Sequence, residues 1–229
     1  MLVLYGHNPK NIRAGDALVE RALTPDLSAG GSNARPLDDD SRLGVAMIDC
    51  GPVVLRSFEP ADIDALYSFR NDPNITDVLT GFSFGFSRAD LKDWIESQRH
   101  DRTRLVWAIA TKEDDMCIGQ IGLYEIDHRL GTAELGAQIG DKGQHGRGIG
   151  RLVYTAALRY AFEELRLHKV WGKILETNEP PLALTKKLGF RQDGVLRDAQ
   201  FRKGRYANVV LISILDSEWF ELHGEKKQP

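Results

Sequence analysis

Three glycines spaced two residues apart, Gly146, Gly148 and Gly150, constrain this chain more than any other feature. They follow a segment, residues 132–140, in which aliphatic side chains alternate with polar or glycine residues, the period of a strand. Apolar residues then recur at helical spacing as far as Leu165. A glycine turn between a strand and a helix lets successive backbone N–H groups and the positive end of the helix dipole face one anion. The segment therefore predicts a phosphate-binding turn.

Two other interpretations of the glycines stay open at this point. The turn could be an ordinary strand-to-helix connection, or a dinucleotide-binding loop in which Glu176, at the end of the next strand, would bind a ribose. The dinucleotide fingerprint requires Gly-x-Gly-x-x-Gly and a run of βαβ units on either side. This chain predicts one such unit between hairpins, so the dinucleotide interpretation is the weaker one.

The bulk composition excludes several classes of protein. The chain has 229 residues with a net charge of -3, which fits one catalytic domain with an appendage and does not fit a general nucleic-acid binder. Cys50 and Cys117 lie far apart without CxxC or Cys/His spacing, so we expect neither a disulfide framework nor a metal site. Apolar stretches are too short to cross a membrane and the N-terminus lacks a signal-peptide pattern, which predicts a cytoplasmic protein.

The composition changes along the chain. Residues 1–46 include a stretch rich in glycine, proline and aspartate that cannot bury much surface, so we expect a flexible or disordered N-terminal extension. Residues 47–222 carry the structured pattern, and residues 223–229 are expected to form a C-terminal tail.

The structured part predicts a mixed, mostly antiparallel sheet with helices. Strands are expected at residues 53–56, 105–110, 117–126, 132–140, 169–176, 195–201 and 207–215, and helices at 60–69, from 88, at 149–165 and after 178. Ser87 and Asp90 form an S-x-x-D capping box before the second helix, and Asn178 is expected to cap a later one. The strands on either side of the long helix should run parallel through a right-handed crossover.

Three ordered motifs resemble those of the GCN5-related N-acetyltransferases (GNAT). The pyrophosphate signature of that family, Gln/Arg-x-x-Gly-x-Gly/Ala, falls on residues 145–150, with His145 at its first position. Residues 178–190 resemble the Asn-x-x-Ala-x-x-Leu-Tyr-x-x-x-Gly-Phe segment, and residues 194–219 resemble the closing hairpin of the branch with ribosomal-protein and spermidine acetyltransferases. The resemblance implies an α/β GNAT fold, with the sheet splayed between the fourth and fifth strands and helices on both faces.

The resemblance also implies acetyl-CoA as co-substrate, without a metal. It assigns the backbone of Gln138, Ile139 and Gly140 to the thioester carbonyl, and Asn178 to the pantetheine arm. The pyrophosphate is assigned to His145, Gly146, Arg147, Gly148, Ile149, Gly150 and Arg151.

Glu134 is the best candidate for a catalytic base. It lies eleven residues before His145, which is the spacing at which the resembling family places its base. A primary amine with a lysine-like pKa of about 10.4 is protonated at neutral pH and has no lone pair for attack on a thioester. A carboxylate beside the cleft could remove that proton.

Thr185 is a catalytic candidate by position. It stands where many family members carry a tyrosine that contacts the CoA sulfur and protonates the leaving thiolate. Threonine is a poor acid at neutral pH, so the thiolate would leave unprotonated, take its proton from water, or use another donor such as Tyr124.

The acceptor is predicted less closely. Arg70 and Asn71 belong to a segment that lies near the acceptor in resembling enzymes, and Tyr124 is the third substrate-binding candidate. Residues 57–79 carry five acidic side chains against Arg70 alone, a net charge of -4 that would favour a cationic amine. We expect acetyl transfer to a small primary amine, such as an amino sugar or a polyamine. The alternatives are a protein N-terminus as acceptor, or a catalytically silent acyl-CoA-binding module, and a homodimer is compatible with either.

Overall fold

The computed structural model describes residues 47–81, 85–98, 100–144 and 146–224. The predicted N-terminal extension, and the tail beyond Gly224, lie outside the described residues. The strands are β1 Ile48–Asp49, β2 Val53–Arg56, β3 Leu105–Thr111, β4 Cys117–Asp127, β5 Thr132–Ile139, β6 Lys169–Leu175, β7 Arg191–Arg202 and β8 Arg205–Leu215. The helices are α1 Ile63–Asn71, α2 Pro73–Thr76, α3 Arg88–Ser97, α4 Ile149–Arg159, α5 Glu179–Lys187 and α6 Asp216–His223.

The strands form one eight-stranded mixed sheet in the order β1-β2-β3-β4-β5-β6-β8-β7. In the described sheet, β5 and β6 pair in parallel, with α4 in the connection between them, and the other neighbouring strands pair antiparallel. This confirms the expected α/β class and the single parallel crossover. It also argues against the dinucleotide interpretation, which needs repeated βαβ units.

The alternation in β5 explains how the two faces of the sheet differ. Leu135 and Ala137 pack into the core on the α4 side together with Val153 and Leu158 of that helix. Glu134 lies one residue before Leu135 and three before Ala137, and because these offsets are odd its side chain points to the opposite face of β5. The expected strand, with its carboxylate on the face opposite the aliphatic residues, is confirmed.

A second, smaller core lies on the opposite face, under α1 and α3. Phe69 of α1 and Leu91 and Ile95 of α3 pack there against Ala108 and Tyr124 of the sheet. The capping box before α3 is present, since Ser87 accepts from the Asp90 amide and the Asp90 carboxylate accepts from the Ser87 amide. None of the described helices has the length and apolar character needed to span a membrane.

Some boundaries differ from the expectation. The first predicted helix is split into a 3-10 turn, Pro60–Asp62, followed by α1. The long helix ends as a π-helical turn over Tyr160–Glu164. Strand β7 begins four residues before the predicted start. The sequence did not indicate these residues because the side chains of β7 are exposed on both faces, so apolar and polar residues hardly alternate there. Strand β1 and helix α6 are not predicted from the sequence.

The junction of α1 with the end of β5 allows no side chain at Gly140. A Cβ atom there would collide with the ring of Phe69, while the Gly140 amide is held by the Ile118 carbonyl at 2.8 Å. Replacing Gly140 by alanine should therefore lower the free energy of unfolding by about 1–3 kcal/mol, measured by urea denaturation. Gly194→Ala is the matched control, since its added Cβ meets nothing within 4 Å and should change stability little. Equal stability of the two variants would contradict the close packing.

Candidate active site

Glu134 lies where two neighbouring strands stop pairing. The β5–β6 ladder consists of three rungs and ends at Glu134 and Trp171, although β5 continues to Ile139 and β6 to Leu175. On its other side Glu134 is directly opposite Tyr124 of β4. The sheet register therefore places the Glu134 carboxylate at the last β5–β6 rung.

The surroundings of Glu134 change its acidity. The residue is 2% exposed, and neither carboxylate oxygen has a hydrogen-bond partner within the part of the chain that the structure describes. Burial raises the pKa of Glu134 to about 7, against the opposing effect of Lys173, whose Nζ lies 3.6 Å from Oε2. A carboxyl group with a pKa near neutrality can accept and release a proton at working pH, which is the property of a general base.

Lys173 is not among the residues that the sequence motifs predict. It lies on β6 with its Nζ 4.7 Å from the ring centre of Trp171, and its side chain is 18% exposed. The alternation of Lys169, Trp171 and Lys173 with the buried Val170 places these side chains on one face of β6. That signal could have been read from the sequence, but the contact with Glu134 depends on the register between two strands.

The glycine turn has the geometry of an anion site. Gly146 and Gly148 have φ angles of 77° and 79°, in the left-handed region, and a Cβ at either position would meet nothing within 4 Å. Gly148 is the N-cap of α4 and offers no side-chain cap to the first-turn amides of Ile149, Gly150 and Arg151. These amides at the positive helix end suit a phosphate, so the turn fits the pyrophosphate of CoA.

Two residues of the glycine turn, Arg147 and Gly150, contact neighbouring parts of the protein. Arg147 donates to the Gln144 side chain at 3.0 Å, whereas His145 lies outside the described residues. At Gly150 a Cβ would lie 3.3 Å from Leu184 of α5, so the glycine allows the two helices to approach closely beside the turn.

The end of β5 attaches the first helix to the sheet. The Gln138 side chain is buried and donates to the Phe69 carbonyl at 3.2 Å. Gln138 and Ile139 lie beyond the last β5–β6 rung, and Gly140 follows the strand. The position of Gln138 and Ile139 suits the expected role of their backbone at a thioester carbonyl, whereas the Gly140 amide already donates to the Ile118 carbonyl.

Asn178 and Thr185 use their side chains within the protein. Asn178 is the N-cap of α5, but its side chain makes no capping hydrogen bond, so the predicted cap is wrong. Its Nδ2 instead donates to the Val78 carbonyl at 3.0 Å, across 100 residues of sequence. The Thr185 hydroxyl is buried and donates to the Pro181 carbonyl at 2.9 Å, which does not favour a role as proton donor.

The three expected acceptor-site residues lie around the second core. Arg70 is buried, donates to the Gln120 side chain at 3.1 Å and has its guanidinium carbon 4.0 Å from the Trp94 ring centre. Burial lowers the pKa of Arg70 to about 10. The Asn71 side chain bridges the backbone of Phe86 by accepting from its amide at 2.9 Å and donating to its carbonyl at 3.0 Å.

Tyr124, the third of these residues, folds its ring over a neighbouring glycine. A Cβ at Gly122 would lie 3.1 Å from the Tyr124 hydroxyl oxygen. Burial raises the pKa of Tyr124, so the phenol stays neutral at physiological pH.

The acidic residues expected to wall the acceptor are largely engaged. Asp62 pairs with Arg56 at 2.7 Å, Asp64 with Arg88 at 2.6 Å and Asp77 with Lys203 at 3.0 Å, while Asp72 accepts from the Asn74 amide at 2.8 Å. Their charge is used in ion pairs and a helix cap. Fewer carboxylates are therefore available to bind a cationic acceptor than the net charge of the segment suggests.

The segment after α2 is tied to distant parts of the chain. Arg202 donates to the carbonyls of Leu79 and Gly81, 123 and 121 residues away in sequence. Together with the Asn178 bond to Val78 and the Lys203 ion pair, these contacts join residues 77–81 to the β7–β8 hairpin and α5.

Glu176, the ribose ligand of the dinucleotide interpretation, accepts from the Asn208 side chain at 2.8 Å. With the antiparallel flanks of the sheet, this leaves the acyl-CoA interpretation of the glycine turn as the one that the structure favours.

Comparison with known proteins agrees with this geometry. The N-acetyltransferase p20 of Bacillus licheniformis, itself uncharacterised, is 30% identical over 169 residues, covering 73% of this chain and 94% of that protein. A spermidine N(1)-acetyltransferase of Vibrio cholerae is 27% identical over 73% of the chain and 95% of its own length. A putative ribosomal N-acetyltransferase of Bacillus subtilis, YdaF, is 34% identical over 49% of this chain.

Solved structures show the same fold. The crystal structure of spermidine N-acetyltransferase from Vibrio cholerae in complex with CoA and spermine superposes with a TM-score of 0.69 at 26% identity. It covers 74% of this chain and 98% of that one. Residues 53–191, which contain Glu134 and the glycine turn, match the family described as the acetyltransferase (GNAT) domain. The chain therefore belongs to the GNAT acetyltransferase family and is an N-acetyltransferase.

Proposed function

We propose that this enzyme transfers the acetyl group of acetyl-CoA directly to a primary amine of a small molecule, such as an amino sugar or a polyamine. The observation that carries the proposal is Glu134, a buried carboxyl group with a pKa of about 7 at the last rung between β5 and β6. The amine must lose a proton before it can attack, and Glu134 accepts that proton directly or through water.

The glycine turn would hold the co-substrate. Acetyl-CoA supplies a thioester carbonyl that an amine can attack. The first-turn amides of α4, at Ile149, Gly150 and Arg151, bind its pyrophosphate, with Gly146 and Gly148 leaving room for the close approach. The backbone of Gln138 and Ile139 is assigned to the thioester carbonyl, whereas the Gly140 amide already donates to the Ile118 carbonyl.

The departing thiolate takes its proton from the amine nitrogen or from water. Thr185 is assigned a position beside the arm and no acid role, because its hydroxyl already donates to Pro181. Asn178 is assigned a position beside the pantetheine arm, held there by the bond from its Nδ2 to the Val78 carbonyl.

The relatives support a small amine as acceptor, since spermidine acetyltransferases match nearly their whole length. An acceptor with one cationic amine is favoured over a polyamine, because Asp62, Asp64 and Asp77 are already in ion pairs. Lys173 also places a positive charge beside the base. An amino sugar fits this better. The putative ribosomal relative keeps a protein N-terminus as the second candidate. A homodimer, a cytoplasmic location and the absence of nucleic-acid and membrane partners stay predictions.

The test is calorimetric binding of acetyl-CoA followed by thiol release with glucosamine, spermidine and a short peptide with a free N-terminus. We expect acetyl-CoA to bind and glucosamine to give the highest kcat/KM. A peptide that exceeds both small amines would move the assignment to protein N-termini. Binding without thiol release across a broad amine panel would identify a silent acyl-CoA-binding module.

A further inference from the structure

A second amine already lies beside the proposed base. Lys173 Nζ is 3.6 Å from Glu134 Oε2, within reach of a direct proton transfer after a small side-chain adjustment. Both side chains occupy the same face of the sheet, one on each of the two strands whose rungs end at this point. The amine of Lys173 thus stands in the same relation to Glu134 as the amine of an acceptor would.

The surroundings hold this amine beside Glu134. Its Nζ lies 4.7 Å from the ring centre of Trp171, the residue directly opposite Glu134 in the β5–β6 ladder. A cation over an indole face is attracted by the ring, and the side chain is only 18% exposed. The amine is therefore held beside the proposed base, so its reaction with a thioester bound beyond the last β5–β6 rung would be intramolecular, with a lower entropic cost than a bimolecular reaction.

We propose that Lys173 is an acetylation site of the enzyme itself, which transfers acetyl from acetyl-CoA to Lys173 Nζ when no other amine occupies the cleft. This inference rests on the proposed use of acetyl-CoA.

The step balances without any further reactant. Glu134 removes one proton from the Lys173 ammonium and later passes it to water. The neutral nitrogen attacks the thioester carbonyl, a C–N bond forms, and the C–S bond breaks as the tetrahedral intermediate collapses. The thiolate leaves with the electron pair of that bond and takes the second proton lost by the nitrogen. The products are an amide on Lys173 and free CoA thiol.

The chain supplies its own control lysine. Lys169 lies on the same strand with its side chain 34% exposed, more than Lys173, and pairs with Asp193 at 2.8 Å rather than with Glu134. Uncatalysed acetylation by a thioester in solution should therefore label Lys169 at least as fast as Lys173. Labelling that depends on Glu134 should favour Lys173 instead.

The experiment incubates the full chain with acetyl-CoA and no added amine, then measures acetyl groups per peptide by mass spectrometry. We expect one acetyl group per chain on Lys173, at a rate independent of protein concentration, as an intramolecular step requires. Glu134→Gln should slow labelling of Lys173 by about 10²-fold or more and leave Lys169 unchanged. Lys173→Arg keeps a cation beside Glu134 and should remove the labelled site, and excess glucosamine should compete with labelling.

Labelling of Lys173 that is no faster than that of Lys169, or that is unaffected by Glu134→Gln, would overturn the inference. Calorimetry and amine turnover on the same preparation separate the two levels of failure. If acetyl-CoA binds and an amine is acetylated while Lys173 stays unlabelled, only this inference fails. If acetyl-CoA does not bind, the proposed function fails and the inference fails with it.

Discussion

Replacing Glu134 by glutamine is expected to lower the turnover of amine acetylation by about 10²–10⁴-fold, because the amide keeps the shape of the side chain but cannot accept the amine proton. Since the pKa of Glu134 is raised to about 7, the wild-type rate should rise with pH through about 7 and then level off. The variant should lack this rise. Its deficit in turnover should shrink as the pH rises toward the pKa of the acceptor amine, about 10.4 for a lysine-like group.

A nearby carboxylate gives the matched control. Glu125 of β4 is exposed, and its charge raises the pKa of Glu134. Glu125→Gln should leave the plateau rate near wild type and move the midpoint of the pH–rate profile to lower pH. A Glu134→Gln variant with undiminished turnover and a parallel profile would reject Glu134 as the base, whereas acetyl-CoA affinity should be the same in all three proteins.

Replacing Gly148 by valine is expected to raise the dissociation constant for acetyl-CoA by about 10–100-fold, measured by calorimetry. The valine side chain would fill open space beside the first-turn amides of α4, and each charge-assisted bond to phosphate contributes about 1.5–3 kcal/mol. The φ of 79° is also unfavourable for a β-branched residue, which should cost roughly 1–2 kcal/mol of stability.

Gly204 separates these two effects. It lies between β7 and β8, has the same φ of 79°, and its added Cβ likewise meets nothing within 4 Å. Gly204→Val should therefore lose similar stability and keep its acetyl-CoA affinity. Equal affinities of the two variants would show that the turn at Gly148 does not bind the pyrophosphate.

Local patterns predicted the parts of the fold that local chemistry determines. The alternation in β5, the capping box at Ser87 and the helical period of α4 each depend on neighbouring residues, and the structure confirms them. Helix α6 was not predicted because its apolar residues continue those of β8. Asp216 and Glu218 in its first turn were the available signal for a helix start.

Features that depend on distant segments could not be read from the sequence. The cap expected of Asn178 is chemically reasonable for α5 alone, but the Val78 carbonyl competes for the same side chain. The proximity of Lys173 to Glu134 likewise requires the β5–β6 register. The sequence shows the net charge of residues 57–79, but it does not show that Arg56, Arg88 and Lys203, all outside that segment, pair with its carboxylates.

The Arg202 contacts with the carbonyls of Leu79 and Gly81 bear on how the enzyme is made in the cell. A ribosome releases residues 77–81 long before the β7–β8 hairpin, yet the carbonyls of Val78, Leu79 and Gly81 accept from Asn178 and from Arg202 of that hairpin. During synthesis the sheet from β1 to β5 can therefore form before residues 77–81 have these anchors. A nascent chain stalled before Arg202 would carry Glu134 on a formed strand while residues 77–81 still lacked their contacts with the hairpin.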